Sequence, residues 1–324
     1  MINAGFLACH LDENESAIMY VKQGLKYFES SGNKIMTAEA LNIFGIISFI
    51  KWDSKDAVKY NEESLKILED LNEKTLEANT KGNLAAFNTG TEKTEVSLKL
   101  LDDAIGIYRD NGQTDFMAKL LISKGGVYYQ EGDYENAGIC FAEGLPILIE
   151  VNDQSSVATT LYNLGNLNFA LKKYSQSAEF YEESMLKSKE YGYTSIYDRA
   201  YIKLGEIALI NNERLKAKEI FISCLKSFNK NSERLKLILR TYGLGNYYFL
   251  EKNYELSAKY FFFADRINED MKFKISKSRN DENEKIILKL KNELQENKYN
   301  FLRNEINMLH IEYAAEVALG LNDV

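Results

Sequence analysis

Apolar residues return at intervals of three and four along most of this chain. Leu161, Leu164, Leu167 and Leu171 do so in one stretch, and Phe141, Leu145 and Leu148 in another. Such spacing puts them on one face of an α-helix. Short polar turns interrupt the pattern at Glu131–Gly132–Asp133, Lys172–Lys173, Asn211–Asn212 and Lys252–Asn253. The chain therefore reads as pairs of antiparallel helices. First helices are predicted near 37–50, 77–90, 117–130, 157–170, 197–210 and 237–250, with a partial one at 1–10. Second helices are predicted near 14–29, 54–70, 94–109, 134–150, 174–190, 214–229 and 254–270.

The pairs repeat with a period of forty residues. Positions 5, 45, 85, 125, 165, 205 and 245 are Gly, Gly, Ala, Gly, Gly, Gly and Gly. A second column, from 17 to 257, holds only Ala and Ser; a third, from 24 to 264, holds only Gly, Ser, Ala and Cys. Glycine in a helix interior costs about 1 kcal/mol against alanine. A regular column of it needs a compensating gain, and close approach of two helices supplies one. The small residues of the second helix are the matching surface. Stacked hairpins of this kind form one elongated body with a continuous core. The expected organisation is all-α: about seven hairpins over 1–272, then a long C-terminal helix over 273–324. Pro146, in the second half of a second helix, should bend that helix or end it early.

The stretch Leu161–x–x–Leu164–Gly165–x–x–x–Phe169, followed by Tyr174–x–x–Ser177 and Tyr181–x–x–Ser184, resembles the tetratricopeptide repeat. So does Gly125 to Ala137. The resemblance covers roughly residues 1–270. It implies a right-handed α-solenoid that binds other proteins and catalyses nothing itself. The forty-residue length is similar to repeats of bacterial signalling proteins and kinesin light chains. The family's first-helix Trp is absent, and Asp265 stands where Leu or Ile is usual.

Composition narrows the partners. A net charge of −8 argues against nucleic acid, whose phosphates need clustered Lys and Arg. Residues 272–305 carry a small basic bias interleaved with acids, the pattern of a solvated helix face. Cys9, Cys140 and Cys224 are odd in number and far apart, so neither a disulfide framework nor a metal site is expected. A reducing cytoplasm suits them, and no apolar run has spanning length. Gly5 already lies mid-helix in the repeat register, which suggests a chain cut from a longer one.

Beyond Met271 the register stops. Ile287, Leu290, Leu294 and Phe301 form one apolar seam; Leu302, Ile306, Leu309, Tyr313 and Val317 form another. A single helix over 284–318 with these seams could pair with a second copy as a parallel dimer. The alternative is a cap folded back over the last repeat. The final residues, Ala318 to Val324, resemble the run-in to a diguanylate cyclase (GGDEF) domain. That resemblance implies an output domain further on, and no cyclase catalytic residue is present in this chain.

No catalytic chemistry is expected. His10 and His310 lie at opposite ends, outside any metal-ligand or nucleophile spacing, and pairs such as Glu62–Glu63 and Glu182–Glu183 are ordinary carboxylates of second helices. Neither a cofactor nor a metal is called for. What remains is the concave face, where the repeat family holds extended peptides. Transferred by column, the resemblance places there Lys119, Ile122, Tyr129 and Gln130 of one repeat, and Tyr162, Asn166 and Phe169 of the next. It adds Arg199, Ile202 and Glu206, then Tyr242, Asn246 and Phe249. An Asn amide can bond a peptide N–H and C=O together. The leading expectation is a sensory or regulatory module that binds a peptide or protein and signals through a dimerising C-terminal helix to an output domain. The alternatives are a free-standing peptide receptor, similar to bacterial quorum-peptide regulators, and a passive scaffold.

Overall fold

The computed structural model describes residues 14–50, 54–88, 93–226, 234–271 and 277–308. Every described element is an α-helix. In chain order they are α1 (Asn14–Ser30), α2 (Lys34–Ile50), α3 (Ser54–Leu68), α4 (Lys74–Asn88) and α5 (Thr94–Asp110). Next come α6 (Thr114–Glu131), α7 (Tyr134–Glu150), α8 (Gln154–Ala170), α9 (Tyr174–Tyr191) and α10 (Thr194–Ile210). The last are α11 (Arg214–Lys226), α12 (Arg234–Leu250), α13 (Tyr254–Met271), α14 (Lys277–Leu294) and α15 (Glu296–Asn307). Helix starts at 34, 74, 114, 154, 194 and 234 keep the forty-residue period, three residues ahead of the expected starts. The leading residues mix polar and apolar types without a common pattern, as in Lys34–Ile35–Met36 and Gln154–Ser155–Ser156. Gly5, Cys9 and His10 lie outside the described residues.

The chain divides into two compact units, Met1–Leu167 and Asn168–Val324. In the first, each helix from α1 to α6 packs on its successor, and α2 also meets α4. In the second, α9 to α13 follow the same order, with α10 also against α12. Turns between helices are ended by a residue with positive φ at a fixed register. Gly132, Lys172, Asn212 and Lys252 are forty residues apart, with φ of 81°, 59°, 63° and 59°. A left-handed residue at this place ends a helix and turns the chain back.

The small columns are packing surfaces. Ala57, Ser97, Ala137, Ser177, Ala217 and Ser257 are fully buried. A Cβ on Gly125 would come within 2.6 Å of the Phe141 ring, and one on Gly205 or Gly245 within 2.8 Å of Phe221 or Phe261. Each glycine therefore leaves the space that a large residue sixteen positions later fills. Ser257 locks the contact by donating its hydroxyl to the Gly245 carbonyl at 2.8 Å. Pro146 does not end α7, which continues to Glu150. Its ring lies on the exposed side, where water can serve the carbonyl that its missing N–H leaves free.

The long C-terminal helix expected over 284–318 is, in its described part, two helices. Gln295, with φ 60° and ψ 151°, breaks the chain between α14 and α15. Both then pack on α13 as a hairpin. Leu290, Leu302 and Ile306 are buried in the same core as Ile267 and Phe262, with Ile287 and Leu294 packed against it. Tyr299 meets Phe262 edge-on, ring centroids 4.9 Å apart. Lys259 pairs with Glu305 at 3.2 Å and Lys298 with Glu255 at 3.1 Å. The apolar seam is thus covered by the chain's own last repeat, because the break lets both helices turn their apolar sides to α13. Of the seam residues, Phe301 is 62% exposed, and Leu309, Tyr313 and Val317 lie outside the described residues.

Candidate functional site

The expected groove residues separate by column. Ile122, Tyr162, Ile202 and Tyr242 share a register position, and all four are buried. Their column lies three residues before the glycines, close enough to the inward face to join the core. Ile122 shows how: a Cβ on Gly144 would come within 2.8 Å of its Cδ1. Lys119, Gln130 and Arg199 are exposed, and Tyr129, Asn166, Phe169, Glu206, Asn246 and Phe249 are half-buried. Lys119 pairs with Asp153 at 2.9 Å. That ion pair and two hydrogen bonds from Ser156 hold the Asp153 carboxyl below the usual carboxylate range, against the opposing effect of its burial.

Five of the expected residues come together in the second unit. Phe169, Glu206, Tyr242, Asn246 and Phe249 line one cavity of about 380 Å³. Leu209, Ile210 and Leu250 complete its apolar walls, and α14 contributes Asn283 and Ile286. That volume is at the small end for a ligand site, which commonly spans roughly 300–1,000 Å³. Glu206 is the one charged residue among those lining it. It accepts a hydrogen bond from Lys203 at 2.7 Å. The Lys203 ammonium also lies over the Phe169 ring, 4.6 Å from its centroid. Charge at this wall is therefore matched before any ligand arrives.

Two residues of the cavity wall each carry an unmatched polar atom. Asn246 Oδ1 and Asn283 Nδ2 are buried, and neither has a hydrogen-bond partner. A buried polar group without a partner costs about 1–3 kcal/mol. Behind the site, the Tyr242 hydroxyl donates to Asp265 Oδ1 at 2.7 Å. Burial pushes the Asp265 carboxyl above its ordinary range. The Tyr242 bond and the Arg303 charge oppose that push, and Glu269 adds to it. Asp265, where an apolar residue is usual, is thus the half-buried acceptor that fixes Tyr242.

Sequence reasoning did not find Asn283 or Ile286. They belong to a helix outside the repeat, so no column marks them. Among the described residues, no group of three or more His, Cys, Asp or Glu is placed to hold a metal ion. Cys140 is a buried free thiol whose pKa burial raises. No helix among the described residues is long and apolar enough to cross a membrane.

With this geometry in place, comparison with known proteins fixes the fold class. A tetratricopeptide-repeat family profile matches residues 116–185. No curated protein sequence matches the chain. Among solved structures, the apo form of RapI is similar at a TM-score of 0.67 and 16% identity, covering 84% of this chain and 97% of that one. Aspartyl phosphate phosphatase F from Bacillus subtilis follows at 0.64 and 16%, covering 82% and 68%. The apo form of the quorum sensor NprR from B. thuringiensis aligns at 0.62 and 16%, over 99% of this chain and 86% of that one. The chain has the tetratricopeptide-repeat α-solenoid fold.

Proposed function

We propose that this chain is a peptide receptor that works without chemistry of its own, holding an extended peptide segment along α10 and α12. The observation that carries the proposal is the convergence of Phe169, Glu206, Tyr242, Asn246 and Phe249 on one cavity. Aromatic walls supply apolar contact, and an amide supplies directional bonding to a backbone. One structurally similar protein, NprR, is a quorum sensor, which agrees with a receptor of this kind.

The burial of Leu290, Leu302 and Ile306 against α13 supports a receptor with a capped end. It speaks against a relay in which the same residues pair with a second copy and drive a cyclase domain.

Heptapeptides selected on the immobilised protein from a random displayed library provide the test. Asn246→Ala and Phe249→Ala should each weaken the selected peptides about tenfold, measured by titration calorimetry. Unchanged affinity in both variants would instead favour a scaffold that binds its partner elsewhere.

A further inference from the structure

The outer face of α7 differs from those of other second helices. Ile139, Ala142, Pro146 and Ile149 stand at spacings of three, four and three, and all four are exposed, the two isoleucines at 56% each. That spacing makes them one stripe along the helix. At the same register positions α5 carries Lys99, Asp102, Gly106 and Arg109, and α9 carries Glu179, Glu182, Leu186 and Lys189. Charge keeps those faces in water, and the α7 stripe has none. Its rim is acidic instead, because α7 contains Glu135, Glu143 and Glu150 and neither Lys nor Arg. Glu143 meets Arg109 of α5 at 3.7 Å, while Glu135 and Glu150 stand exposed towards the two ends.

The chain itself shows what such a face accepts. Three repeats further on, the corresponding Glu255, Lys259 and Phe262 of α13 are covered by α15. Glu255 pairs with Lys298, Lys259 with Glu305, and Phe262 packs against Tyr299. On α7 their counterparts Glu135, Ile139 and Ala142 are exposed. We infer that the α7 stripe is the docking surface for one amphipathic helix of a partner protein, apolar on the side it buries and basic along its edges. Ile139, Ala142, Glu143 and Pro146 occupy the four positions that form a hole for a side chain of a facing helix, with the small Ala142 leaving the room. Proline and alanine lose no rotamer freedom on burial, and isoleucine loses little. Glu135 and Glu150 lie about 22 Å apart along the helix, so the partner needs about four turns. A Lys or Arg near each end would meet them, as Lys298 meets Glu255. The acidic rim repels nucleic acid and anionic lipid headgroups alike. The stripe belongs to the unit Met1–Leu167 and the cavity to the other, so this docking surface stands apart from the receptor reading.

Helical peptides of about five turns, displayed with one side randomised and selected on the immobilised full chain, supply the probe. Selected helices should carry apolar residues at spacings of three and four, with Lys or Arg beside them. Ile139→Gln combined with Ile149→Gln should weaken their binding about tenfold. The variant should melt with the parent, because both side chains are largely in solvent. Glu135→Gln combined with Glu150→Gln should weaken binding about threefold in dilute salt and flatten its salt dependence. Affinity indifferent to the isoleucine pair overturns the inference, as does failure to select any helix. Selected helices with acidic edges overturn it too. A parent chain that sediments as a dimer, with the isoleucine variant a monomer, would show a second copy on the stripe and overturn the partner helix. Asn246→Ala should leave the selected helices bound as before, so the fate of the cavity is read separately.

Discussion

The hairpin α6–α7 and the hairpin α12–α13 obey one packing rule and put it to different use. In both, a glycine faces an aromatic ring sixteen residues on: Gly125 against Phe141, Gly245 against Phe261. At the positions between, they part. Ile122, Gly126 and Tyr129 in the first correspond to Tyr242, Asn246 and Phe249 in the second, and Leu145 corresponds to Asp265. The first set holds no amide, and Ile122 is spent on the core beside Gly144. The second carries a hydroxyl anchored on a half-buried carboxylate and an amide with an unpaired oxygen. Columns of small and large residues set the spacing of the helices. The positions between the columns are free to vary, and departures there line the candidate cavity.

The sharpest way to break the shared rule is to remove its large partner. Phe141→Ala and Phe261→Ala should each cost about 3–5 kcal/mol, because both rings are buried against a glycine that cannot refill the space. Denaturant unfolding of each variant measures it. A loss below about 1 kcal/mol in either hairpin would show that the ring is not the spacer there.

Adjacent glycines offer an internal control within α6. A Cβ on Gly125 would strike the Phe141 ring, whereas one on Gly126 would meet nothing within 4 Å. Gly125→Ala should therefore cost about 1–3 kcal/mol through overpacking. Gly126→Ala should gain about 1 kcal/mol, by the helix preference of alanine. Opposite signs at neighbouring residues separate sterics from propensity. Two losses of equal size would dissolve the distinction between a packing column and the positions beside it.

The cap distinguishes the second unit from the first, and its removal tests what it covers. Leu302→Ala deletes a fully buried side chain from the core shared by α13 and α15, at a cost of about 2–5 kcal/mol. Light scattering on Leu302→Glu tests the geometry as well. Burial within the chain predicts lower stability at unchanged molar mass. A fall from dimer to monomer would instead show the seam facing a second copy.

Most of the fold was legible because it repeats. Period, helix pairing and small columns all follow from glycines and serines spaced by forty. Helix starts were less legible, since the leading residues differ in type from one repeat to the next and mark no common column. The break at Gln295 was invisible for a related reason: an ordinary residue takes the left-handed conformation there, with no Gly or Pro to announce it. Half of the candidate site was read from columns, namely Phe169, Glu206, Tyr242, Asn246 and Phe249. Asn283 was not, because its place in the cavity wall comes from a helix outside the repeat, which leaves no periodic trace.

Asp265 supports the smallest and most specific prediction. Its register partner in α7 is Leu145, and burial raises its carboxyl pKa above the unfolded value of about 3.9. The folded state then holds the proton more tightly than the unfolded chain. Its contribution to stability is greatest below the unfolded pKa and is lost as pH rises through the folded pKa. Asp265→Asn keeps an acceptor for the Tyr242 hydroxyl and removes the charge. It should gain up to about 1 kcal/mol at pH 7. The gain should shrink as pH falls towards 4, where the parent's own carboxyl is protonated. Thermal melts of the two proteins across pH 4–8 read the difference directly. A variant less stable than the parent at pH 7 would mean that the ionised carboxylate, with Tyr242 and Arg303 beside it, is a net support of the last repeat, and Leu145 and Asp265 would then be equally good solutions to the same packing position.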